Sequence, residues 1–245
     1  MRSLIAATLF MFAAGQAVAQ GNGWSFQANG YLWLPTTDVT IDTPRGSVSA
    51  ELSVKDALDA LDFAAMGSLE ARRGRLGLIA DLVYFDLSAQ QSTPLGGLFD
   101  AATVGNQITA LSTLVVYRVQ ETDRFTLDVG AGARMIWLDA KVRLSGGVLP
   151  EESFDRSDNW IDPIVALRAR VDFDDRWFGT LYLDAGGFGA GSEETYQVAT
   201  GVGYDLNDRW SLLGGWRYLD FRRENNGNTL DFQQSGVILG AAYRF

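Results

Sequence analysis

The sequence predicts an all-β protein: a transmembrane, antiparallel, up-and-down β-barrel of ten strands, with eight or twelve strands as the alternatives. Three observations carry that expectation. First, the final stretch alternates strictly, with Val237, Leu239, Ala241, Tyr243 and Phe245 on one face and Gly236, Ile238, Gly240, Ala242 and Arg244 on the other. Two residues per repeat is the period of a β-strand. Second, the bulky apolar residues share one face while small residues and a charge share the other. That suits lipid outside and a crowded lumen inside. Third, one turn chemistry recurs at Arg72-Arg73-Gly74-Arg75, Asp123-Arg124-Phe125, Asp175-Arg176-Trp177 and Asp208-Arg209-Trp210. The charged residues suit solvated turns, and the aromatic after each Asp-Arg pair begins a strand.

Ten segments follow in order, near 24–34, 62–73, 75–88, 104–119, 124–142, 158–172, 177–190, 195–206, 210–222 and 229–245. Rising from the turns, one face carries Leu127, Val129 and Trp137 after Phe125, then Leu181 and Leu183 after Trp177, then Leu212 and Trp216 after Trp210. The phase holds three times, which marks these as lipid-facing sides. Aromatics at two levels then mark the two membrane boundaries. Trp24, Phe125, Trp177, Trp210, Tyr243 and Phe245 are expected at the short-turn boundary, and Trp33, Trp137 and Trp216 at the other. The opposite faces carry the candidate lumen-lining residues Glu70, Arg72, Asp81, Asp128, Arg134, Arg168, Arg170, Asp184, Arg217 and Arg244, with Gln107, Thr109 and Thr113 between them. Charges of both signs in a narrow lumen are expected to pair, because an unpaired buried charge is costly.

The remaining stretches are less regular. Residues 1–19 have the form of a removable secretory leader, with Arg2, an apolar core from Leu4 to Ala14, and Ala17-Val18-Ala19 before the cut. The barrel is then expected over residues 20–245. Longer connections fall at 35–61, 89–103, 143–157, 191–194 and 223–228, all on the rim opposite the tight turns. Within the first, Thr37–Ile41 and Ser47–Leu52 alternate around Thr43-Pro44-Arg45-Gly46, which predicts a small hairpin above the membrane. Ser53, with Asp56 three residues on, then starts a short helical stretch through Leu61. This loop is expected as a lid on the rim, with a plug in the mouth as the alternative.

Composition excludes several functions. Losing Arg2 with the leader leaves 19 basic and 30 acidic residues, a net charge of −11, so nucleic acid is not an expected partner. There is no cysteine and no histidine, so no disulfide, thiolate metal site or imidazole base exists. Asp174-Asp175, Glu151-Glu152 and Glu193-Glu194 fall in turns or loops without a base beside them. No nucleophile–base pair can be named, so no catalytic residue, cofactor or metal is expected. Gly130-Ala131-Gly132 and Gly201-Val202-Gly203 lie within strands, where small residues make room rather than cradle phosphate.

With the leader, the Asp-Arg-aromatic turns and the Val237–Phe245 ending in hand, the chain resembles the small bacterial outer-membrane β-barrel proteins. That broad group includes the outer-membrane protein A transmembrane domain, OmpW-type proteins and porin-like opacity proteins. The resemblance implies an integral place in the outer membrane of a Gram-negative envelope. It also implies outer-membrane lipids and lipopolysaccharide as surroundings, and recognition of the terminal aromatic strand by the barrel-assembly machinery. A monomer is expected. Outer-membrane proteases, lipid A acyl-modifying enzymes and phospholipases of this kind usually employ a histidine, which is missing here. The leading functional expectation is a small porin-like passive channel for ions or small solutes, motivated by the mixed charges of the inner face. The alternative is a closed structural or surface-interaction barrel, since barrels of about eight strands are filled by side chains. A third reading, a lateral pathway for apolar molecules, requires an apolar lining behind the 35–61 loop.

Overall fold

The computed structural model describes residues 23–44, 46–92, 101–145, 151–225 and 227–245, so the expected leader lies outside the described residues. Among these the order is β1 (Trp24–Thr43), β2 (Gly46–Leu52), α1 (Val54–Ala60), β3 (Leu61–Arg73), β4 (Leu76–Ser92), β5 (Ala101–Glu121), β6 (Phe125–Ser145), β7 (Glu152–Asp172), β8 (Trp177–Gly187), β9 (Glu194–Asp205), β10 (Trp210–Asn225) and β11 (Asn228–Arg244). From β3 to β11, each strand pairs antiparallel with the next in sequence. β1 pairs with β3 on one side and β11 on the other, which closes a ten-stranded barrel. The β1–β11 ladder runs unbroken from Gln27↔Arg244 to Asp42↔Thr229.

The expected hairpin is present as a continuation of the wall. β1 does not stop at Leu34 but extends to Thr43, and β2 folds back on it with Thr37↔Leu52 at one end and Thr43↔Gly46 at the other. Ser53 caps α1: its hydroxyl accepts from the Asp56 amide at 3.2 Å and donates to the Asp56 carboxylate at 2.6 Å. No α1 residue is buried, and the helix lies against β1 and β4 at the rim. β4 and β6 also run into expected loops, to Ser92 and Ser145, and β5 and β7 begin at Ala101 and Glu152. β5, β6 and β7 are each 21 residues long, whereas about 9–11 span the hydrocarbon. The ladder therefore continues well past the membrane, where each added residue still bonds its neighbour.

Outward side chains form the apolar belt. Leu32, Leu69, Val115, Val165 and Leu239 are all exposed, and Leu32 faces Leu239 directly across the closing ladder. Trp137, Trp177, Trp210, Trp216 and Phe245 are exposed at the two edges of the belt, while Trp24, Phe125 and Tyr243 are half-buried on the tight-turn side. Aromatic pairs knit that lower edge: Trp177 with Tyr204, Trp210 with Tyr243, and Tyr243 with Phe245.

Two sequence assignments are corrected. Trp33 is not a boundary aromatic; it is 1% exposed and points into the barrel, and its neighbours Leu32 and Leu34 take the outer side. Gln107, Thr109 and Thr113 are not lumen residues. Ser112, Leu114 and Val116 are buried inside, which puts the odd-numbered positions of β5 outside with Val115 and Tyr117. In both strands apolar residues occupy both faces, so alternation carries no contrast.

Small residues on the lumen side let strands pass closely. A Cβ on Gly132 would collide with the Thr113 carbonyl, and one on Gly236 with the Leu34 carbonyl. Gly74, with φ +55, makes the tight β3–β4 turn in a conformation that side chains resist. The lipid-facing belt has a direct check. Leu239→Arg places a charge on an outward position that is 54% exposed, and is expected to destabilise the refolded barrel by about 2–4 kcal/mol. Urea titration in lipid vesicles measures it; a change within about 0.5 kcal/mol, as at a water-facing site, would count against the membrane-facing assignment.

Candidate functional site

The lumen is filled in layers. Next to the tight-turn rim, Asp205 accepts from Arg170 at 3.0 Å and from Arg244 at 2.9 Å, and the Ser211 hydroxyl donates to the same carboxylate. The Arg170 guanidinium also lies 3.6 Å over the Phe178 ring. One layer higher, Asp128 is 2% exposed and meets three guanidiniums: Arg72 at 2.6 Å, Arg118 at 2.9 Å and Arg168 at 3.3 Å. Glu70 bridges Arg72 at 2.9 Å and Arg168 at 2.7 Å. Each of these charges is compensated, as a low-dielectric interior requires.

Two arginine nodes sit above this network. Arg134 is 1% exposed, binds Asp184 at 2.5 Å, and donates to Thr195 at 3.0 Å and Ser112 at 3.2 Å. Arg217 donates to Asp81 at 3.0 Å, to the Tyr31 hydroxyl at 2.8 Å and to Gln197 at 2.7 Å. Tyr31 in turn donates to Asp81 at 2.7 Å. The Arg217 guanidinium also lies 4.9 Å over the Trp33 ring.

Beyond the arginines the lining turns apolar. Trp33, Val83, Phe85, Leu219 and Ile238 form one buried cluster, and Ile136, Trp160, Phe221 and Phe232 form a second. Phe221 stacks on Phe232 at 4.7 Å between centroids and meets Trp160 edge-on at 5.3 Å. Between the arginines and these clusters lies a cavity of about 20 Å³, room for about one water.

The far rim is uneven, because β8 and β9 stop at Gly187 and Glu194 while β7 and β10 rise past them. Arg223 of β10 reaches over this dip to Asp158 of β7 at 2.9 Å, lies 4.4 Å over the Trp160 ring, and donates to the Gly191 carbonyl at 2.5 Å. Below, Asp162 is fully buried and accepts from Trp160 Nε1 at 3.0 Å, Ser192 Oγ at 2.9 Å and the Ser192 amide at 2.5 Å. That carboxylate pins a turn whose Gly187, Phe188 and Gly189 all have positive φ, at 85°, 50° and 73°.

Burial alone would raise the Asp158 carboxyl, but the hydrogen bonds and charge of Arg223, with Asn225 and the Asn159 amide, hold it below its ordinary 3.8. On the opposite rim the amides of Trp177 and Arg176 hold the exposed Asp174 carboxyl down in the same way.

Each of the ten residues expected in the lumen, from Glu70 to Arg244, makes at least one side-chain hydrogen bond, although Asp184 Oδ1 is buried without a partner among the described residues. Arg118, Asp162, Asp205, Tyr31 and Arg223 belong to the same system and were not singled out from sequence, while Asp158, which the sequence places with the solvated acids of the loops, is bonded to Arg223. Asp162 had a readable signal: on β7 it keeps the even-numbered phase of Arg168 and Arg170. Arg118 and Asp205 lie next to turns, where a charge is ordinarily solvated, so their sequence position concealed them.

The fold is that of the small outer-membrane β-barrels. It is similar to the outer membrane protease OmpT from Escherichia coli, with a TM-score of 0.62 at 12% identity over 90% of this chain and 97% of that one. The transport unit of the autotransporter AIDA-I from Escherichia coli matches at a TM-score of 0.42 and 10% identity, over 97% of this chain and 94% of that one. Ail, the attachment invasion locus protein of Yersinia pestis, matches at 0.36 and 14%, over 91% and 99%. Identities this low speak to architecture and leave activity to the site itself. Neither a protein-family model nor a curated protein sequence matches the chain.

Two outcomes follow from the charge layers. Asp128→Ala leaves three guanidiniums short of their shared carboxylate and is expected to destabilise the barrel by about 3–5 kcal/mol, read from urea unfolding in vesicles. At the far rim, a depressed Asp158 pKa means its contribution is full above about 3.8 and is lost as pH falls through the lower folded value. Amide protection around Arg223, taken relative to intrinsic exchange at each pH, should therefore fall at acid pH, and Asp158→Asn should remove that fall.

Proposed function

We propose that this chain resides in a bacterial outer membrane as a single sealed barrel, and that it works by non-catalytic contacts at its extracellular end. The observation that carries this reading is the continuous fill of the axis, from the Asp205 layer through the Asp128 network and the arginine nodes to Phe221 and Phe232. The charges that suggested a solute passage are bound to one another, and the cavity beside Arg134 and Arg217 measures about 20 Å³. A hydrated ion needs a wider path. The absence of histidine and cysteine supports a non-enzymatic role.

The extracellular end offers a surface instead. Strands β4 to β7 carry the wall beyond the upper aromatic level, and by alternation Val104 and Phe154 face the axis there, as does Ile41 on β1. All three are exposed, at 46%, 58% and 44%. Such apolar side chains on a projecting wall suit contact with another molecule rather than lipid. Planar-bilayer recording of refolded protein tests the sealed barrel. In concentrated potassium chloride it is expected to show no current steps above background while heat-modifiable migration confirms folding. Reproducible single-channel steps from the folded protein would overturn the reading.

A further inference from the structure

We infer that the wall between β1 and β3 contains a lateral slot that admits one hydrocarbon chain from the outer leaflet, with Trp33 as its inner stop. The slot is a break in pairing. β1 pairs with β3 only from Trp24↔Arg73 to Gly30↔Gly67, and β2 takes over as its partner only at Thr37. Between them, Tyr31 to Thr36 have no ladder partner on that side, although all six pair with β11 on the other. Across the slot, the start of β3 pairs with β4 alone, from Leu61↔Leu87 down to Met66↔Val83.

The height of the slot is set by its neighbours. Ala65 pairs with Tyr84 on one side, and Leu34 lies beside Val237, which pairs with Trp216, on the other. The break therefore runs from the middle of the belt to the upper aromatic level, a stretch of about 20 Å at roughly 3.3 Å per residue. Bare strand edges are not left facing hydrocarbon, so this one requires a special arrangement.

The residues supply one. Alternate residues of a strand turn their amide and carbonyl to the same neighbour. The Phe245 amide bonds the Phe26 carbonyl, so even-numbered β1 residues face β11 and odd-numbered ones face the slot. Pro35 is odd-numbered and brings no N–H to it. The Trp33 amide donates to Met66 Sδ at 3.2 Å, a weak acceptor where a strand carbonyl would otherwise stand. Behind this edge, Leu61, Ala64 and Met66 pack on the Trp33 cluster. Trp33 also lines the lumen cavity, and its indole Nε1, fully buried, has no hydrogen-bond partner. An orphaned buried donor is rare and costly. It suits a ligand that is apolar along its length and carries one acceptor at its end, a fatty-acyl chain with its carbonyl or carboxylate. The slot borders only the Arg217 node, through Tyr31 and the Trp33 ring, and not the Asp128 or Asp205 layers, so a sealed axis and a lateral site coexist.

Fluorine NMR on protein labelled with 5-fluorotryptophan tests the assignment. The chain has seven tryptophans, and Trp33→Phe identifies the Trp33 line by its loss. Palmitate and dipalmitoyl phosphatidylethanolamine are titrated separately into the refolded protein in detergent. A saturable shift of the Trp33 line is expected, while the lines of Trp137, Trp177, Trp210 and Trp216 drift without saturation. Response to palmitate alone marks a free fatty acid as ligand, and response to the phospholipid marks a membrane lipid; either supports the slot. Met66→Phe fills the opening and should abolish the saturable shift in a barrel that still migrates as folded. A Trp33 line unmoved by both lipids, or a shift that survives Met66→Phe, overturns the proposal.

Discussion

Bare backbone is the one thing hydrocarbon does not tolerate, and barrel closure follows from that constraint. Each amide and carbonyl in the membrane needs a partner, and a sheet meets the need only when its first and last strands join. Here the joint is the β1–β11 ladder, continuous from Gln27↔Arg244 to Asp42↔Thr229. The terminal Phe245 amide adds its own bond to the Phe26 carbonyl beneath it. Closure sets the lumen, and the lumen sets what its side chains must do.

A ten-stranded lumen is too narrow for free charges. Once Asp128 or Arg134 is turned inward it loses water, and only an opposite charge or a hydrogen-bonding partner at close range restores the balance. That explains why the acids and arginines occur in linked layers rather than singly. It also explains the change to aromatic filling higher up, where Trp160, Phe221 and Phe232 occupy the bore without any need for partners. Where a charge returns, at Arg223, it lies against both a carboxylate and the Trp160 ring. Beside Trp33, where β1 loses β3 as a partner, a proline and a thioether replace the usual donors and acceptors.

Periodicity made much of this legible. The phase of β6, β8 and β10 could be read upward from Phe125, Trp177 and Trp210 because small or charged residues alternate there with bulky apolar ones. The same contrast placed Asp128, Arg134, Asp184 and Arg217 inside. It failed for Trp33, which sits in Tyr31-Leu32-Trp33-Leu34 with large apolar groups on both sides. It failed again in β5, where Leu114, Val115 and Val116 are alike in hydrophobicity but not in direction. Alternation identifies a face only when the two faces differ in chemistry.

The sequence by itself therefore determined the order of the ten wall strands but not how far they run, the rim that carries the tight turns, the inverted character of the wall and most of the inward charges. These depend on neighbours a few residues apart. The tertiary structure alone decided which inward groups meet. Glu70 finds Arg168 and Tyr31 finds Arg217 across 98 and 186 residues of chain, and such partners are set by register and strand stagger rather than by local pattern. It alone showed how the inward side chains stack in layers along the axis, since filling is a sum over all ten strands. It alone revealed the break between β1 and β3, because a missing partner is a property of two strands together and leaves no mark on either one.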